Sequence, residues 1–533
     1  MLSAFDGMIV SGVPGMELTI FSWGLALLPI VTVLVLMIGF GMGGSRAGLA
    51  ALSVAVAVAV LRFGAGAEVL AVALGKSGLL ALDVLYIVWM ALFFYNVTQQ
   101  AGAVDTIGAN LPRLTSDRAL QSLLIGWVFV SLLQGVGGFG VPVAVVAPLL
   151  VGLGYTATQA VTMASLGHGW AVTFGSLGTS FAALLAVTGV DEVALASPAA
   201  LMLGTAALLS GGLVVYVSSG WAGLRRGLPI LVLVGAVMAV TQWVVATQGL
   251  WTLGATSGAL AGGAVFVGVL LSPLYKKEPN MPSAPPDAGQ PSVGMAAAAY
   301  ALLLLIAFGA NLIPPLAQAL GAAQIRIGFP AVQTALGWQT PAETGRVISV
   351  FGHPGAILLY AGLLAFLLYR WAGYYEPGAF GHIWGSVRRS AVKSTVSILT
   401  LVAVATVMSH AGMTQLIAQG VSETVSAAFY PLVAPFVGAL GAFMTGSNTN
   451  SNVVFGELQQ QTAQLLGLSV PLILAGQTAG ASLGSILAPA KIIVGCSTVG
   501  LTGEEGPVIR QMILLGLIPV VLVAVLTLAL TVV

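Results

Sequence analysis

The stretch "TGSNTNSN", Thr445 to Asn452, carries seven hydrogen-bonding side chains and one glycine. It is flanked by "PLVAPFVGALGAFM" and "VVFGELQQQ". Ser, Thr and Asn are poor in helix interiors because their side chains bond nearby backbone instead. In a soluble protein such a run would be an ordinary loop. Here it interrupts a chain of 533 residues that is 58% hydrophobic and 6% charged. Soluble domains carry about 25% charged residues, so the solvent of this chain is a lipid bilayer.

Outward from that stretch, apolar runs recur from end to end. "LALLPIVTVLVLMIGF" and "QMILLGLIPVVLVAVLTLALTVV" are each long enough to cross roughly 30 Å of hydrocarbon as a helix. Ordinary spans are expected near 20–42, 47–62, 80–98, 198–218, 228–248, 252–273, 294–314, 354–371, 391–411 and 510–532. Weak alternation argues against a β-barrel, so the fold class is an all-α polytopic membrane protein. "YKKEPNMPSAPPDAGQPSVG", at about 274–293, reads as a flexible cytoplasmic linker between an N-terminal half (1–273) and a C-terminal half (294–533).

Several functions are excluded early. The net charge of +1 gives no reason to expect a nucleic-acid partner, and the single cysteine, Cys496, excludes an intrachain disulfide framework. There is no P-loop, HExxH or GxSxG motif and no cysteine–histidine metal spacing. An enzyme, a primary pump, a cofactor and a metal centre are therefore not expected. The N-terminus lacks the basic region of a cleavable signal.

Basic residues set the orientation. Arg225 and Arg226, Lys276 and Lys277, and Arg388, Arg389 and Lys393 mark three loops, with two spans between each successive pair. All three fit the cytoplasmic side. Parity then works if the segments near 119–153, beside Arg113 and Arg118, and near 430–466 are each a hairpin of two half-helices. Each is followed by a small-residue-rich broken span, 156–188 and 470–500, and then by an apolar span. The same order thus occurs twice in opposite orientation, about 310 residues apart. That is the pattern of an inverted-repeat secondary transporter with two re-entrant hairpins and a midplane site.

The two breaks supply the candidate site. "GVGGFGVP" (Gly135–Pro142) has four glycines and a proline in eight residues. Gly137, Gly138, Phe139 and Gly140 form its centre, with Gln134 just before them. Backbone freed from helix inside a membrane must be buried or line a cavity, and half-helix N-termini there suit an anion. Opposite them stand Ser447, Asn448, Thr449 and Asn450, whose side chains exceed what two helix ends need for capping. The broken spans add Gln477, Ser485 and Lys491 as substrate contacts and His168 as a proton-coupling candidate. A lysine at the membrane centre costs roughly 2.5–3.5 kcal/mol, which fits a counter-charge for a substrate carboxylate or a snorkelling side chain.

At these residues the chain resembles the L-lactate permease family of 2-hydroxymonocarboxylate transporters. The segments that carry the likeness are "QGVGGFGVPVAVVAPLLVGLGY", "AVTFGSLG", "PLVAPFVGALGAFMTGSNTNSNVVFGELQQQTAQ" and "STVGLTGEEG". The resemblance implies proton-coupled import of lactate or glycolate across the inner (cytoplasmic) membrane, by a monomer or homodimer. It also implies inverted repeats and hairpins with "SNT" motifs, of which Ser447-Asn448-Thr449 is one. It further implies an acid at Gln134, an acid at Asn448 and a lysine at Ser485; this chain has neutral side chains at all three. The small organic anion is expected between Gly137–Val141 and Ser447–Asn450. Sodium held by backbone carbonyls is the alternative to H+. A cation/proton antiporter is a weaker alternative, since it would need midplane carboxylates.

Overall fold

The computed structural model describes residues 17–40, 42–137, 141–272, 291–501 and 504–532. The chain is a bundle of apolar helices. Among the described residues nine helical stretches are long and apolar enough to cross a bilayer, and every ordinary span expected above falls on one of them. Residues 274–290 of the linker, with Lys276 and Lys277, and residues 138–140 at the first tip lie outside the described residues.

Helices α1 (Ile20–Ile38) and α2 (Gly44–Phe63) lead into the long α3 (Ala67–Gln100). Thr19 starts α1 with a reciprocal cap, its hydroxyl taking the Ser22 amide while Ser22 takes the Thr19 amide. At Gly102, in the left-handed region at φ 71°, the chain turns into the short α4 (Ala103–Asn110). Helices α5 (Arg118–Leu123) and α6 (Val130–Val136), joined by a π-helical turn, form one rod, and α7 (Val141–Gly152) follows. Arg118 ties the base of this pair together. Its guanidinium donates to the carbonyls of Leu153 and Gly154 at 3.3 and 3.2 Å and lies over the Tyr155 ring.

The first broken span is α8 (Ala157–His168), a 3-10 turn (Gly169–Ala171) and α9 (Thr179–Thr188). Helix α10 (Glu192–Val245) doubles back at Gly220. Gly204 abuts Ala239 and Gly211 abuts Leu231, the pairing of an antiparallel hairpin. Helix α11 (Gly254–Leu271) completes the first half.

The second half opens with α12 (Val293–Leu312) and α13 (Pro314–Gly321). A small β lobe follows. Strands β1 (Gln324–Ile325), β2 (Gly328–Phe329) and β3 (Val332–Gln333) pair antiparallel with β6 (Ile348–Ser349), β5 (Glu343–Thr344) and β4 (Gln339–Thr340) in nested order. Then come α14 (Pro354–Trp371), α15 (Ala379–His410) and α16 (Met413–Thr424), with α15 and α16 joined at Gly412. Helices α17 (Tyr430–Thr445) and α18 (Asn448–Leu465) form the second hairpin. Helices α19 (Val470–Gly484) and α20 (Pro489–Thr498) are the second broken span, and α21 (Gly506–Val532) ends the chain.

Three features depart from the sequence reading. Helices α3 and α15 begin at 67 and 379, about three turns before the apolar runs suggest, because their first turns carry Lys76 or Arg388 and Arg389. The short α4 and α16 were not expected; each follows a long helix through the same Ala-Gly turn, at Gly102 and Gly412. The β lobe was not expected either, since its two-residue strands are too short for an alternating pattern.

Close packing explains much of the glycine. A Cβ on Gly480 would stand 2.0 Å from the Pro435 carbonyl oxygen, and one on Gly484 2.4 Å from Ala439 backbone. Lipid tails give helices no hydrophobic reason to associate, so such backbone proximity supplies the attraction.

Candidate functional site

The first break is held by main chain. At the end of α6, the carbonyls of Gln134 and Gly135 bond beyond their own helix. They accept from the amides of Ser176 (2.7 Å) and Leu177 (3.0 Å) in the first broken span. To make this contact, Ser176, Leu177 and Gly178 take left-handed backbone at φ 48°, 55° and 75°. Such a conformation costs a non-glycine residue about 1–2 kcal/mol.

The second break is held by side chains. Ser447 caps α18, its Oγ accepting from the Asn450 amide at 3.2 Å. Asn448 Nδ2 donates to Thr173 Oγ1 (3.0 Å), which donates to the Thr478 carbonyl (3.0 Å). The Thr173 amide donates to Ser482 Oγ, and that hydroxyl donates to the Gly169 carbonyl. Asn452 Nδ2 donates to Thr478 Oγ1 and to the Ser180 carbonyl, both at 2.9 Å. Ser180 and Thr449 share a hydroxyl bond of 3.1 Å. The second hairpin and both broken spans therefore cross at one point, joined by buried polar groups from both halves of the chain.

Beside this crossing lies a cavity of about 430 Å³. The hairpin tip from Thr445 to Asn450 forms one wall, with Thr179 and Lys491 next to it. The facing wall comes from Gly43, Gly44 and Ser45 at the start of α2 and from Ser394, Ser397 and Ile398 on α15. Four helices begin at this cavity: α2 at Gly44, α9 at Thr179, α18 at Asn448 and α20 just before Lys491. Each contributes partly positive N–H groups. Lys491 Nζ donates to Ser485 Oγ at 3.1 Å. The described lining includes no carboxylate. Such a lining can accommodate a small anion.

The chain matches the L-lactate permease family over residues 22–276 and 331–533. It belongs to that family. The L-lactate permease of Salmonella typhimurium is 27% identical over 468 residues, covering 83% of each chain. The glycolate permease GlcA of Escherichia coli is 27% identical over 477 residues, also covering 83% of each. The L-lactate permease of Bacillus subtilis is 26% identical over 495 residues, covering 84% of each. Among solved structures, the Alcanivorax borkumensis YdaH transporter aligns over 86% of each chain with 17% identity and a TM-score of 0.49. Neisseria gonorrhoeae MtrF aligns with 13% identity and a TM-score of 0.44, covering 84% of this chain and 81% of its own. The protein is thus a multi-pass membrane member of a transporter family rather than an enzyme.

Within this L-lactate permease family member, the expected site residues separate. Ser447, Thr449, Asn450 and Lys491 line the cavity, and Asn448 sits directly behind them, buried, with its Oδ1 unbonded. Ser485 meets the cavity through Lys491. Gln134 lies at the main-chain crossing, its amide 3.4 Å from Ser176 Oγ, and Gly137 packs against the Tyr95 ring. Gln477 stands apart: its Oε1 accepts from Gln459 and its Nε2 donates to Ser451, so both ends are spent inside the second hairpin. His168 is buried, its Nδ1–H donating to the Ala164 carbonyl at 2.7 Å and its Nε2 unpartnered.

A second cavity, of about 240 Å³, was not anticipated. Asp83, Arg346, His353, Glu192, Trp251 and Leu177 are among its walls. Asp83 accepts from Arg346 Nε (3.2 Å) and from His353 Nε2 (3.0 Å). His353 Nδ1 accepts the Gly355 amide, which fixes the tautomer. A lone Asp within "GLLALDVLYIVWM" was the signal that could have marked it. Leu177 lines this cavity and Thr179 lines the other, so the strained turn at 176–178 stands between the two.

Proposed function

We propose that this protein is a secondary active transporter that imports a small 2-hydroxymonocarboxylate, such as L-lactate, D-lactate or glycolate, by proton symport. The observation that carries this reading is the convergence of four helix N-termini and Lys491 on one cavity without a carboxylate in its described lining. The substrate carboxylate sits at Lys491 Nζ and the first amides of α18. The buried, unbonded Oδ1 of Asn448 accepts the 2-hydroxyl. A monocarboxylate without that hydroxyl leaves the oxygen unpaired, at a cost of about 1–3 kcal/mol.

By the positive-inside rule the end bearing Arg388 and Arg389 is cytoplasmic. Ser394 and Ser397 lie one to two turns further along the same helix, so the 430 Å³ cavity opens inward. The cavity at Asp83 and Arg346 faces the opposite side. The hairpins enter from opposite faces as inverted repeats. Their bases support this: Arg226 on α10 pairs with Asp117 beside the first, and Gln460 in the second donates to the Thr188 carbonyl near acidic Asp191. The hairpin-bearing unit, with the 176–178 turn on it, moves against the scaffold of α2, α3 and α15 and turns the site from one side to the other.

Purified protein in proteoliposomes tests the reading. Labelled L-lactate, D-lactate and glycolate are offered under imposed proton or sodium gradients. Accumulation driven by an inward proton gradient is expected for at least one acid, with propionate a poor competitor. Failure of all three acids to move, even in counterflow, would refute it; accumulation under sodium alone would replace the coupling ion.

A further inference from the structure

We propose that Glu457 is the proton-carrying carboxylate of this transporter. The inference rests on the transport reading above and names the group that couples it to protons.

Across residues 130–188 and 430–500, which hold both hairpin tips and both broken spans, the charged side chains are Glu457 and Lys491 alone. One acid and one base in so long a membrane-embedded stretch call for a reason, since each costs roughly 2.5–3.5 kcal/mol at a helix centre. Lys491 has one, as the counter-charge at the anion cavity. Glu457 is seven residues beyond Asn450 on α18, two turns along the same helix face. Asn450 lines the inward cavity across from Ser397 and Ile398 of α15. Further along that seam, Glu457 meets Ser409 of α15, whose hydroxyl donates to its Oε1. The carboxylate therefore sits on the hairpin, at its boundary with the scaffold.

Its surroundings leave it unpaired. No ion pair among the described residues includes Glu457. Its other partner is the Gln461 amide at 3.1 Å. Lys76 on α3 and Glu343 on the β lobe are in electrostatic range, but they bridge each other at 2.5 Å and act on Glu457 in opposite senses. That bridge is partly exposed, so water lies close on the outer side. On α15, His410 follows Ser409; its Nδ1–H is given to the Thr406 carbonyl and its Nε2 is unbonded. Tyr430 on α17 spends its hydroxyl on Gln459, and Glu423 on α16 accepts from Gln419. Against Gly456, α9 presents Leu184, Val187 and Thr188. Glu457 is half-buried, shielded without being sealed.

Charge balance gives the coupling. The empty unit holds Lys491 as a cation and Glu457 as an anion, and is neutral. The full unit holds Lys491 with a bound carboxylate, and Glu457 with a proton taken from outer water, and is again neutral. A unit with only the proton carries +1, and one with only the substrate carries −1. Either must drag a net charge through low dielectric, which disfavours its crossing. The proton leaves to the inner water after the substrate does.

The test is Glu457→Gln in proteoliposomes, with L-lactate and glycolate as probes. Expected are counterflow within about threefold of the parent, a tenfold or greater fall in accumulation under a proton gradient, and loss of substrate-dependent proton uptake. The empty variant carries +1, so an inside-positive potential is expected to drive its uptake and not that of the parent. Glu457→Asp is expected to restore proton coupling. Undiminished proton-driven accumulation in Glu457→Gln would overturn the proposal, as would sodium-driven accumulation in the parent. Absent counterflow of both probes and of D-lactate in the parent would instead refute the substrate reading. Should Glu457→Gln fail to assemble, Ser409→Ala keeps the carboxylate and removes its donor. The midpoint of the pH profile is then expected to move to higher pH, and an unmoved profile would overturn the proposal.

Discussion

The two hairpins end in breaks of opposite chemistry. The first ends in glycines, and the carbonyls of Gln134 and Gly135 beside them accept from the amides of Ser176 and Leu177. The second ends in Ser, Thr and Asn, whose side chains reach both broken spans. Main-chain bonds fix distance and leave little to adjust. Side-chain amides and hydroxyls can exchange one partner for another, and Asn448 and Asn452 each keep an unbonded oxygen. The first break is thus a fixed main-chain joint, and the second keeps spare polar atoms that, under the proposed function, meet the substrate.

The largest expected effect concerns what holds the second hairpin against its broken span. Gly480→Val places a side chain where even a Cβ meets the Pro435 carbonyl at 2.0 Å. No monodisperse protein is expected in size-exclusion chromatography; normal yield would show that this contact is not needed. Next comes Lys491→Gln, which removes the cavity's lysine. A charge-assisted bond is worth roughly 1.5–3 kcal/mol, so the KM for uptake is expected to rise about 10- to 100-fold with assembly intact.

A paired substitution then separates the breaks directly. Asn448→Ala is expected to lower uptake about tenfold, consistent with the loss of one or two buried hydrogen bonds. Gln134→Ala, whose main-chain carbonyl makes the important bond, is expected to change uptake less than about threefold. Equal effects in initial-rate assays would erase the distinction. The smallest effects should differ in sign. Ser176→Gly relieves left-handed strain and is expected to raise stability by about 0.5 kcal/mol after glycine's own entropic penalty. Ser447→Ala removes a helix cap and is expected to cost about 1 kcal/mol. Thermal unfolding in detergent measures both.

Much of this was legible along the chain. The spans followed from hydropathy, because a bilayer demands long apolar helices whatever their neighbours. Both breaks followed from composition, since neither "GVGGFGVP" nor "TGSNTNSN" can continue a membrane helix without other partners. Lys491 and Ser485 were both legible as candidates, but their hydrogen bond was not. Other assignments needed neighbours. Gln477 looked like a ligand contact, yet packing gives both ends of its amide to Gln459 and Ser451. The serines at 394 and 397 looked unremarkable on a long helix, yet they form the far wall of the cavity.

The sequence by itself determined that this chain lives in a bilayer, where its helices stop, and which few polar and charged side chains the membrane must tolerate. Those are local properties, set by hydropathy and by backbone preference over a dozen residues. Only the tertiary structure decided what those side chains face. It brought the first turns of α2, α9, α18 and α20 into the wall of one cavity from positions over four hundred residues apart in sequence, and set Glu457 against Ser409 rather than against a cation. Helices without a hydrophobic drive to associate are arranged by glycine contacts and shared hydrogen bonds, and those depend on partners that no local window contains.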